Sequence, residues 1–457
     1  MPSTPPRPRV VRGQVSPRRA APYFLPRECG AGASGMHVGA HATAGPPAPR
    51  TTPPLWRRAT LAAGPNALWA HRTRRTFACI GLQGRIPPID TRAYLDAFSS
   101  DPEAYYVIES ACIEHASAGI LSATYTHAAA GGSGVQYLAV GDDEGRVHLL
   151  DTSIPPRSLG DSACKLSTRP LVDGAIFELQ WRADDRVLAL GSGDYGVSAW
   201  DVEHELCVAR FDRHAGSPRT LAWAPGGSGR LLASAGRDGD IYLWDLRTEE
   251  PAAHIAHAHG RLAGGRRGRA LPAGVTSLAY VDDHQLASAG CADATVKLWD
   301  MRMLMRRPRP RAASADLSRS GGNNTRPHGI SSLAVSHTQR RIYAACTDGG
   351  VYGLQASLDG GETRMYSDTQ ALNTLYSRIA LCDDRFLAVG CCTGAVALWD
   401  TMSLSPHPRI LHGHATNAEV NAVAWATSWD GPSLASVSDD QTVRVWQPSC
   451  AGSQAPR

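Results

Sequence analysis

Residues 231–245 read LLASAGRDGDIYLWD, and residues 286–300 read LASAGCADATVKLWD. In each stretch a strand of small residues leads into a turn with an Asp, and a strand rich in β-branched or aromatic residues then ends in Trp-Asp. Further clear copies are LAVGCCTGAVALWD at 387–400 and LASVSDDQTVRVW at 434–446, and a weaker copy is LALGSGDYGVSAWD at 188–201. One phrase that recurs along a chain indicates an internal repeat.

Two more copies keep this pattern without the tryptophan, LAVGDDEGRVHLLD at 138–151 and IYAACTDGGVYGLQ at 342–355. The last apolar residue of each copy, which we call its anchor, is in chain order Leu150, Trp200, Trp244, Trp299, Leu354, Trp399 and Trp446. Successive anchors are 50, 44, 55, 55, 45 and 47 residues apart. Since a WD40 repeat has four strands in roughly 40–45 residues, the seven anchors predict an all-β fold, a seven-bladed WD40 β-propeller over residues 101–448.

An aspartate stands six residues before five of the anchors. A carboxylate there can accept backbone N–H groups of a tight turn, so we predict a structural role for Asp194, Asp238, Asp293, Asp348 and Asp440. Blade one has Glu144 at this position and blade six has Thr393, so we expect these two blades to be tied less tightly. Two blades also have an upstream His and a strand Ser that would complete a buried network, namely His214, Ser234, Asp238 and Trp244, and His414, Ser436, Asp440 and Trp446.

The last blade needs an outer strand to close the ring, and only eleven residues follow Trp446. The apolar stretch AYYVIESACI at residues 104–113 lies just before blade one and can supply this strand. Joining the first and last segments of the chain in one blade removes an open sheet edge. We therefore expect deletion of residues 100–115 to destabilise the whole ring.

The composition of the chain changes near residue 100. Residues 1–100 carry 14 arginines against three acidic side chains, whereas the remainder has 32 basic and 39 acidic residues. The first segment is rich in Pro, Ala, Gly and Arg, so we predict a disordered basic tail over residues 1–100 and a short disordered C-terminus over residues 449–457.

Three interpretations of the basic tail stay open. It could hold a nuclear-import or nucleic-acid patch, either at Arg72, Arg74 and Arg75 or at Arg18 and Arg19. It could be a mitochondrial transit peptide, although its many prolines preclude an amphipathic helix. It could also be a tail without a role of its own.

The sequence favours a binding platform over an enzyme. Gly191, Gly193 and Gly196 form a G-x-G-x-x-G pattern, but it falls in a turn between strands with no following helix to hold phosphate. There is no Walker loop and no H-E-x-x-H, and the 11 cysteines form no C-x-x-C pair. We therefore predict no catalytic residue, no metal site and no cofactor, and we expect reduced thiols. No run of 18 apolar residues occurs, so we expect no membrane segment.

Two predicted connections between blades, residues 251–273 and 303–327, are long and basic insertions. Clustered arginine can contact phosphate or an acidic protein surface. The insertions are therefore candidates for weak nucleic-acid contact, and the alternative is that they are only solvated. Their candidate contact residues are Arg261, Arg266, Arg267, Arg269, Arg306, Arg307, Arg309 and Arg311.

A more specific signal follows the anchors of blades three and four. There the chain reads Trp-Asp-Leu-Arg at 244–247 and Trp-Asp-Met-Arg at 299–302, and the other anchors lack this arginine. Because blades three and four are neighbours, the two arginines would form one patch at the ends of adjacent strands.

The tandem Trp-Asp-x-Arg pair is similar to the signature of WD40 receptors that dock on the adaptor of cullin-4 RING ubiquitin ligases, damage-specific DNA-binding protein subunit one. The order of features also resembles the denticleless family of these receptors. The similar stretches are GRDGDIYLWDLR at 236–247, SAGCADATVKLWDMR at 288–302, the blade without tryptophan at 329–354, and the last blade at 420–446. The resemblance covers residues 105–447.

The resemblance implies a non-catalytic, nuclear substrate receptor. It would recruit proteins bound to the replication clamp, proliferating cell nuclear antigen, for ubiquitination in S phase or after DNA damage. The adaptor-binding residues would be the two motifs, Trp244, Asp245, Arg247, Trp299, Asp300 and Arg302, with each Asp holding its Arg in place. We expect the other face of the propeller to offer acidic groups to a basic segment of the substrate.

Two points about partners stay open. Animal members of the family have a clamp-binding box, and the nearest approach here, Gln83-x-x-Ile86-x-x-Ile89, lacks its aromatic pair. We therefore expect clamp contact through the substrate, or through the propeller face and the basic insertions. Two other classes of function also remain: a chromatin- or histone-binding propeller without a ligase role, and a scaffold or coat-type subunit. Binding of the ligase adaptor distinguishes them from a substrate receptor.

Overall fold

The structure is a computed structural model that describes residues 91–448, apart from 103, 109, 111–116, 131–135, 154–164, 168–169, 227–228, 263–270, 305–312, 318–327, 358–362, 368–373, 404–406 and 429–430. All of the described residues belong to a compact unit that spans residues 55–457. Residues 1–90 of the tail predicted for residues 1–100, and the C-terminal segment 449–457, lie outside them.

Seven antiparallel sheets follow one another along the described part of the chain, and the first six have their strands in sequence order. The first four sheets have these strands: β3 (Ile120–Tyr125), β4 (Tyr137–Asp142), β5 (Val147–Asp151) and β6 (Lys165–Ser167); β7 (Ile176–Trp181), β8 (Val187–Ser192), β9 (Val197–Asp201) and β10 (Leu206–Phe211); β11 (Pro218–Trp223), β12 (Leu231–Gly236), β13 (Ile241–Asp245) and β14 (Ala253–Ile255); and β17 (Val275–Tyr280), β18 (Gln285–Gly290), β19 (Thr295–Asp300) and β20 (Ala313–Asp316). A two-stranded hairpin, β15 (Arg261–Leu262) and β16 (Leu271–Pro272), lies between the third and fourth sheets.

The remaining sheets have these strands: β21 (Ile330–Ser336), β22 (Arg341–Cys346), β23 (Gly350–Gln355) and β24 (Arg364–Ser367); β25 (Ile379–Cys382), β26 (Phe386–Gly390), β27 (Ala395–Asp400) and β28 (Arg409–His412); and β29 (Val420–Ser428), β30 (Gly431–Ser438) and β31 (Thr442–Pro448) with β1 (Phe98–Ser99) and β2 (Tyr105–Val107). The first strand of each sheet contacts the first strand of the next, and β29 contacts β3. These sheets are therefore the blades of a closed ring, and the predicted seven-bladed WD40 propeller is confirmed.

Antiparallel pairing fixes the face on which each turn lies, because successive strands of a blade run in opposite directions. We call the face with the starts of the first strands and the turns between the second and third strands the upper face. The ends of the third strands, such as β13 and β19, then lie on the opposite, lower face. The inner strands surround the central channel that joins the two faces.

The hydrophobic core of the described residues has seven clusters, and each lies between two neighbouring blades. One of them lies between blades seven and one, where the ring closes. The anchor Trp244 shows how a cluster is built: its ring stacks on Phe211 of blade two with 4.4 Å between centroids. The third strand of a blade, which carries the anchor, has apolar residues on both of its sides because neighbouring blades pack against both sides of the sheet.

The ring is closed by chain that precedes blade one. Tyr105, Tyr106 and Val107 pair with Arg444, Val443 and Thr442 of β31, and further along β31 Phe98 pairs with Pro448. The prediction that residues 104–113 supply the outer strand is confirmed for 105–107. The closing strand has two pieces, however, and the sequence analysis missed β1.

The predicted propeller boundary at residue 101 is too late. Helix α1 (Thr91–Asp96) and β1 pack Tyr94, Leu95 and Phe98 into the core between blades six and seven. The other helices among the described residues are single turns, α2 (His127–Ala130) and α3 (Met301–Leu304). None of the helices in the described part of the chain is long and apolar enough to span a membrane.

The buried networks expected in blades three and seven are present. His214 contacts Asp238 and Ser234 at 2.7 Å each, and the Trp244 indole donates to Ser234 at 2.8 Å. The Ser436 hydroxyl likewise contacts His414 and accepts from Trp446, both at 2.7 Å. Blade four has a third network that we did not predict. There His259 contacts Asp293 at 2.7 Å and Ser288 at 2.8 Å, and Ser288 accepts from Trp299.

Each of the five predicted turn aspartates accepts a backbone N–H from the residue two positions further on, at 2.9–3.3 Å. Blade one, which we expected to be tied less tightly, does have a turn aspartate, but at a different position. Asp142, rather than Glu144, accepts the N–H groups of its turn, from Glu144 at 3.1 Å and from Arg146 at 2.7 Å. Its second oxygen lies 2.9 Å from His148, and the Asp142 side chain is fully buried.

Candidate functional site

The two Trp-Asp-x-Arg motifs end β13 and β19 on the lower face with the same local geometry. Asp245 accepts the Arg247 backbone N–H at 3.1 Å, and Asp300 accepts the Arg302 backbone N–H at 2.9 Å. This turn brings the arginine side chain back over the carboxylate. Arg247 Nε then donates to Asp245 Oδ1 at 2.9 Å, and Arg302 Nε donates to Asp300 Oδ1 at 3.1 Å.

A second donor, Nη2, completes each pair as a two-pronged contact with the other carboxylate oxygen. The hydrogen bonds from Arg247 lower the pKa of Asp245 to about 2, and those from Arg302 lower the pKa of Asp300. Both carboxylates are therefore ionised throughout the physiological pH range. Each aspartate holds its arginine in one orientation, as the resemblance implied.

The two guanidinium groups are the exposed part of this site. The Arg247 and Arg302 side chains are 65% and 64% exposed. Of the five N–H donors of a guanidinium, two face the aspartate, so the others are free to meet an acceptor on another molecule. Adjacent blades therefore present two arginine side chains that are positively charged, held in one orientation and accessible to a partner.

The residues between Asp and Arg attach the motifs to the core. Leu246 packs against the cluster between blades two and three, and Met301 packs against the cluster between blades three and four. This packing fixes the turn from which each arginine projects. It also explains why both middle positions are apolar.

The inclusion of Trp244 and Trp299 among the adaptor-binding residues is wrong. Trp244 is 0% exposed and Trp299 is 5% exposed, and both donate their indole N–H to a buried serine of their own blade. Neither ring can touch a partner without unpacking the blade. The candidate docking site is therefore reduced to Asp245, Arg247, Asp300 and Arg302.

In blade six the aspartate after the anchor also accepts a two-pronged contact from an arginine, although the sequence pattern is missing there. Arg385 Nε donates to Asp400 Oδ1 at 2.9 Å, and Nη2 donates to Oδ2 at 2.8 Å. This arginine comes from the turn before β26, and its side chain is only 25% exposed. It lies on the lower face as well, but it is less accessible than Arg247 and Arg302.

The basic insertions differ from the connections that we predicted, because each contains the outer strand of its own blade, β14 or β20. Arg261 begins β15 and is exposed, and its guanidinium lies 2.9 Å from His257. The other candidate contact residues lie outside the described residues, namely Arg266, Arg267, Arg269, Arg306, Arg307, Arg309 and Arg311. Their contact with nucleic acid stays a prediction.

One cluster in the described part of the chain has the residue types of a metal site. Potential ligand atoms of His328, Cys346 and Asp348 lie within 4.8 Å of one another. The Asp348 carboxylate already accepts the Tyr352 hydroxyl at 2.6 Å, and burial raises the pKa of the Cys346 thiol, which disfavours a thiolate. These residues occupy the part of blade five where blades three, four and seven have their His–Asp pairs, so we interpret them as a variant of that network.

The upper face differs from the expectation. We expected acidic groups there, but the mouth of the central channel is lined by three arginines, Arg219, Arg237 and Arg378. The expectation of an acidic surface for a basic segment is therefore wrong for the channel mouth.

Two acidic residues, Glu419 and Asp439, do lie on the upper face. Glu419 comes just before β29, and Asp439 comes just after β30. Burial, together with the charge of Asp439, raises the pKa of Glu419 to about 7. Between pH 4.5 and about 7 the folded chain retains this proton while the unfolded chain has lost it, so stability falls as pH rises through this window. We expect Glu419→Gln to remove the fall and to stabilise the chain at pH 8 by about 1 kcal/mol, a value reduced for solvent screening because the side chain is only partly buried.

Urea unfolding of the wild-type chain and the variant at pH 4.5 and pH 8 checks this prediction. The two should be nearly equal in stability at pH 4.5 and should diverge at pH 8. Glu203→Gln, at an exposed position, is the matched control and should not alter the pH dependence. A stability difference between Glu419→Gln and wild type that is the same at both pH values would contradict the assignment.

Comparisons with known proteins agree with the repeats. The family described as WD domain, G-beta repeat, matches residues 205–245, 267–300 and 406–447. The sequence is 29% identical over 327 residues to a denticleless protein homolog of Danio rerio, which covers 68% of this chain and 49% of that protein. It is 27% identical over 334 residues to the denticleless protein homolog of Homo sapiens, with 68% of this chain and 44% of that protein covered.

The cell division cycle protein cdt2 of Schizosaccharomyces pombe is 30% identical over 347 residues, and the match covers 70% of this chain and 68% of that protein. By contrast, the chain spans about half the length of the vertebrate relatives that it matches. These matches, over 327 to 347 residues, are similar in length to the propeller.

Proposed function

The chain belongs to the denticleless family of WD40 proteins, which includes the fission-yeast cell division cycle protein cdt2, and on this premise we propose that it is the substrate-recognition subunit of a cullin-4 RING ubiquitin ligase. It would dock through its lower face on the ligase adaptor, damage-specific DNA-binding protein subunit one. In this role the chain is a binding subunit, and ubiquitin transfer is carried out by the other subunits of the ligase.

The observation that carries this proposal is the repeated Asp–Arg pair at the ends of β13 and β19. Arginine is enriched among the residues that dominate binding at protein interfaces. A side chain that is already held in place loses less conformational entropy when a partner binds. Two such arginines on neighbouring blades suit an acidic or carbonyl-rich surface on the adaptor.

The substrates that we propose are proteins bound to the replication clamp, which would be ubiquitinated and degraded in S phase or after DNA damage. Recruitment of proteins bound to the replication clamp requires a nuclear receptor, so we propose that the chain is located in the nucleus. This proposal is supported by family membership and by the name of the fission-yeast relative, a cell division cycle protein. Clamp contact would come through the substrate, or through the propeller and its basic insertions.

Capture of the tagged full chain from replicating cells tests this proposal. We expect the adaptor and cullin-4 to be recovered in near-stoichiometric amounts, and we expect clamp-bound proteins to accumulate when the chain is depleted. A matched capture with an unrelated WD40 propeller controls for non-specific recovery. If the chain is captured intact and neither the adaptor nor cullin-4 accompanies it, the ligase function is wrong, and a chromatin-binding or scaffold role would take its place.

A further inference from the structure

A cavity of about 260 Å³ lies at the mouth of the central channel on the upper face. Ligand pockets are commonly about 300–1,000 Å³, so this cavity has room for one or two side chains and not for a folded domain. Much of its wall is apolar, with Phe177, Leu375 and Tyr376 among the lining residues. The docking function of the lower face makes no use of this cavity.

Arg378 forms the base of the cavity by reaching across the channel from blade six. It donates to the carbonyl groups of Thr276 at 3.3 Å, Phe177 at 3.4 Å and Arg219, which belong to blades four, two and three. Its Nη2 also lies 2.7 Å from a carboxylate oxygen of Glu178. The charge of Arg378 is therefore balanced within the protein, and this side chain closes the channel beneath the cavity.

Arg219 lies above this base and packs against two aromatic rings. Its guanidinium carbon is 4.4 Å from the centroid of the Phe177 ring and 4.4 Å from the centroid of the Tyr376 ring. The guanidinium therefore packs against both rings, and it also makes a side-chain hydrogen bond with Tyr376. Its remaining N–H donors are the part that can reach a ligand. This arrangement orients the group for the two-pronged contact that guanidinium makes with a carboxylate or phosphate.

The electrostatic environment of Arg219 is cationic. Burial lowers its pKa, and the nearby charges of Arg378 and Arg237 act in the same direction. Arg237 is exposed in the turn after β12 and lines the same cavity. Within the described residues no carboxylate forms an ion pair with either Arg219 or Arg237. The nearby acidic side chain of Asp439 instead accepts a hydrogen bond from Asn421 at 2.7 Å.

We propose that the channel mouth is a binding site for a peptide segment that carries an oxyanion, a carboxylate or a phosphate, beside an apolar side chain. Arg219 and Arg237 would bind the oxyanion, and the rim of the cavity would take the apolar side chain. Leu375 and Tyr376 are suited to that contact because both are more than 40% exposed, and Leu271 on the neighbouring hairpin is 57% exposed.

The shape of the site favours a peptide over nucleic acid. Single-stranded nucleic acid binds along grooves in which cations follow its backbone over several nucleotides. Here Arg219 and Arg237 line a single cavity whose remaining wall is largely apolar. A single oxyanion with an apolar neighbour satisfies this arrangement, whereas a run of phosphates would meet it at one point only.

The inference rests on the proposed function only in so far as the bound peptide would be part of a substrate. Peptide binding at the upper face does not require the adaptor, so the two proposals can fail separately. Variants of Arg219 and Arg237 should leave adaptor binding unchanged, and variants of Arg247 and Arg302 should leave peptide binding unchanged.

A fixed-position peptide library tests the site with the purified full chain. Nonapeptides with one fixed central residue, Asp, Glu or phosphoserine, are compared with matched peptides that have Asn, Gln or Ser there. Inorganic phosphate and a ten-nucleotide oligo-dT serve as further probes. We expect the anionic peptides to bind at least about tenfold more tightly than their neutral counterparts, with a further preference for Leu or Phe next to the anion. The relative affinity for the Asp and phosphoserine peptides identifies the source of the oxyanion.

We expect Arg237→Ala to lower the affinity for the anionic peptides about tenfold or more, and Arg219→Lys to do the same because lysine keeps the charge but loses the planar fork. Arg186→Ala is the matched control, because Arg186 is an exposed arginine on the lower face of blade two. Equal binding of anionic and neutral peptides would overturn the proposal. So would binding of oligo-dT or free phosphate alone, or equal losses in all three variants.

Discussion

Replacement of both Arg247 and Arg302 by alanine is expected to weaken binding of the cullin-4 adaptor by about a hundredfold or more, without unfolding the chain. Arginines that act as interface hot spots commonly have effects of this size when truncated, and two on one patch act together. The variant also leaves Asp245 and Asp300 without their cations, so it adds negative charge to the docking surface. The measurement is the dissociation constant for the purified adaptor.

The fold should tolerate this double substitution. Both side chains are about two-thirds exposed, and exposed ion pairs contribute little to the free energy of unfolding. The backbone contact of each aspartate with the arginine N–H survives the change to alanine. The melting temperature should therefore remain within experimental error of the wild-type value, so a loss of binding can be assigned to the interface.

A double variant that removes two other exposed arginines, Arg213→Ala with Arg261→Ala, controls for the loss of positive charge. Both positions follow the outer strand of their blade, away from the ends of β13 and β19. This control should bind the adaptor like wild type. If the Arg247 and Arg302 variant remains folded and keeps full affinity, the docking site is wrongly placed.

Phe98→Ala is expected to lower the free energy of unfolding by about 3 kcal/mol, in the range found for aromatic truncation in a protein core. Phe98 is 3% exposed and contacts the rings of Tyr94 and Trp425, with centroid distances of 5.5 Å and 5.9 Å. These contacts attach the closing segment to blade seven. A loss of this size should lower the melting temperature of a propeller of this length by about 4 °C.

Deletion of residues 91–108 should have a larger effect, because it also removes Tyr106 and Ile108 from the core between blades seven and one. It leaves β31 with an unpaired edge, which favours aggregation. Thermal unfolding and size-exclusion chromatography measure both consequences. If the deletion variant does not fold, Phe98→Ala still tests the role of the segment.

Ser99→Ala is the control within the same strand, because Ser99 is exposed and pairs with Gln447 through its backbone. It should change the free energy of unfolding by no more than about 0.5 kcal/mol. Equal stability of Phe98→Ala and Ser99→Ala would show that β1 is not part of the ring closure.

The number and order of blades could be predicted from the sequence because each blade needs an apolar third strand at a regular spacing. The networks of blades three and seven were also predictable, since their His and Ser are 20 and 22 residues apart. In blade four an insertion widens this spacing to 29 residues, and His259 was therefore missed. Residues 91–99 were missed because a short helix and a two-residue strand show too little periodicity.

The candidate site could be predicted only in part. Arg247 and Arg302 are recognisable because they lie two residues from their aspartates along the chain. Asp400 has a similar partner in Arg385, but this partner is 15 residues earlier, so no local pattern reveals it. The tryptophans of the motifs were assigned to the interface because a sequence pattern does not separate the residues that pack a blade from those that face a partner.

The binding site at the channel mouth could not be predicted from the sequence either, because its residues are far apart along the chain. Arg219 and Tyr376 come from blades three and six, and they meet only because the ring brings the starts of the inner strands together. Only the folded ring shows which arginines are balanced by carboxylates and which are free to bind a ligand.

Hydrogen–deuterium exchange of the purified chain with and without the adaptor tests the central claim most directly, because it locates the docking face in the wild-type protein. The account predicts that the adaptor slows exchange at the ends of β13 and β19, in residues 245–248 and 300–304. Exchange at the channel mouth, around residues 237 and 375–378, should not change. Protection of the channel mouth without protection of those strand ends would contradict the claim that this chain docks on the adaptor through Arg247 and Arg302.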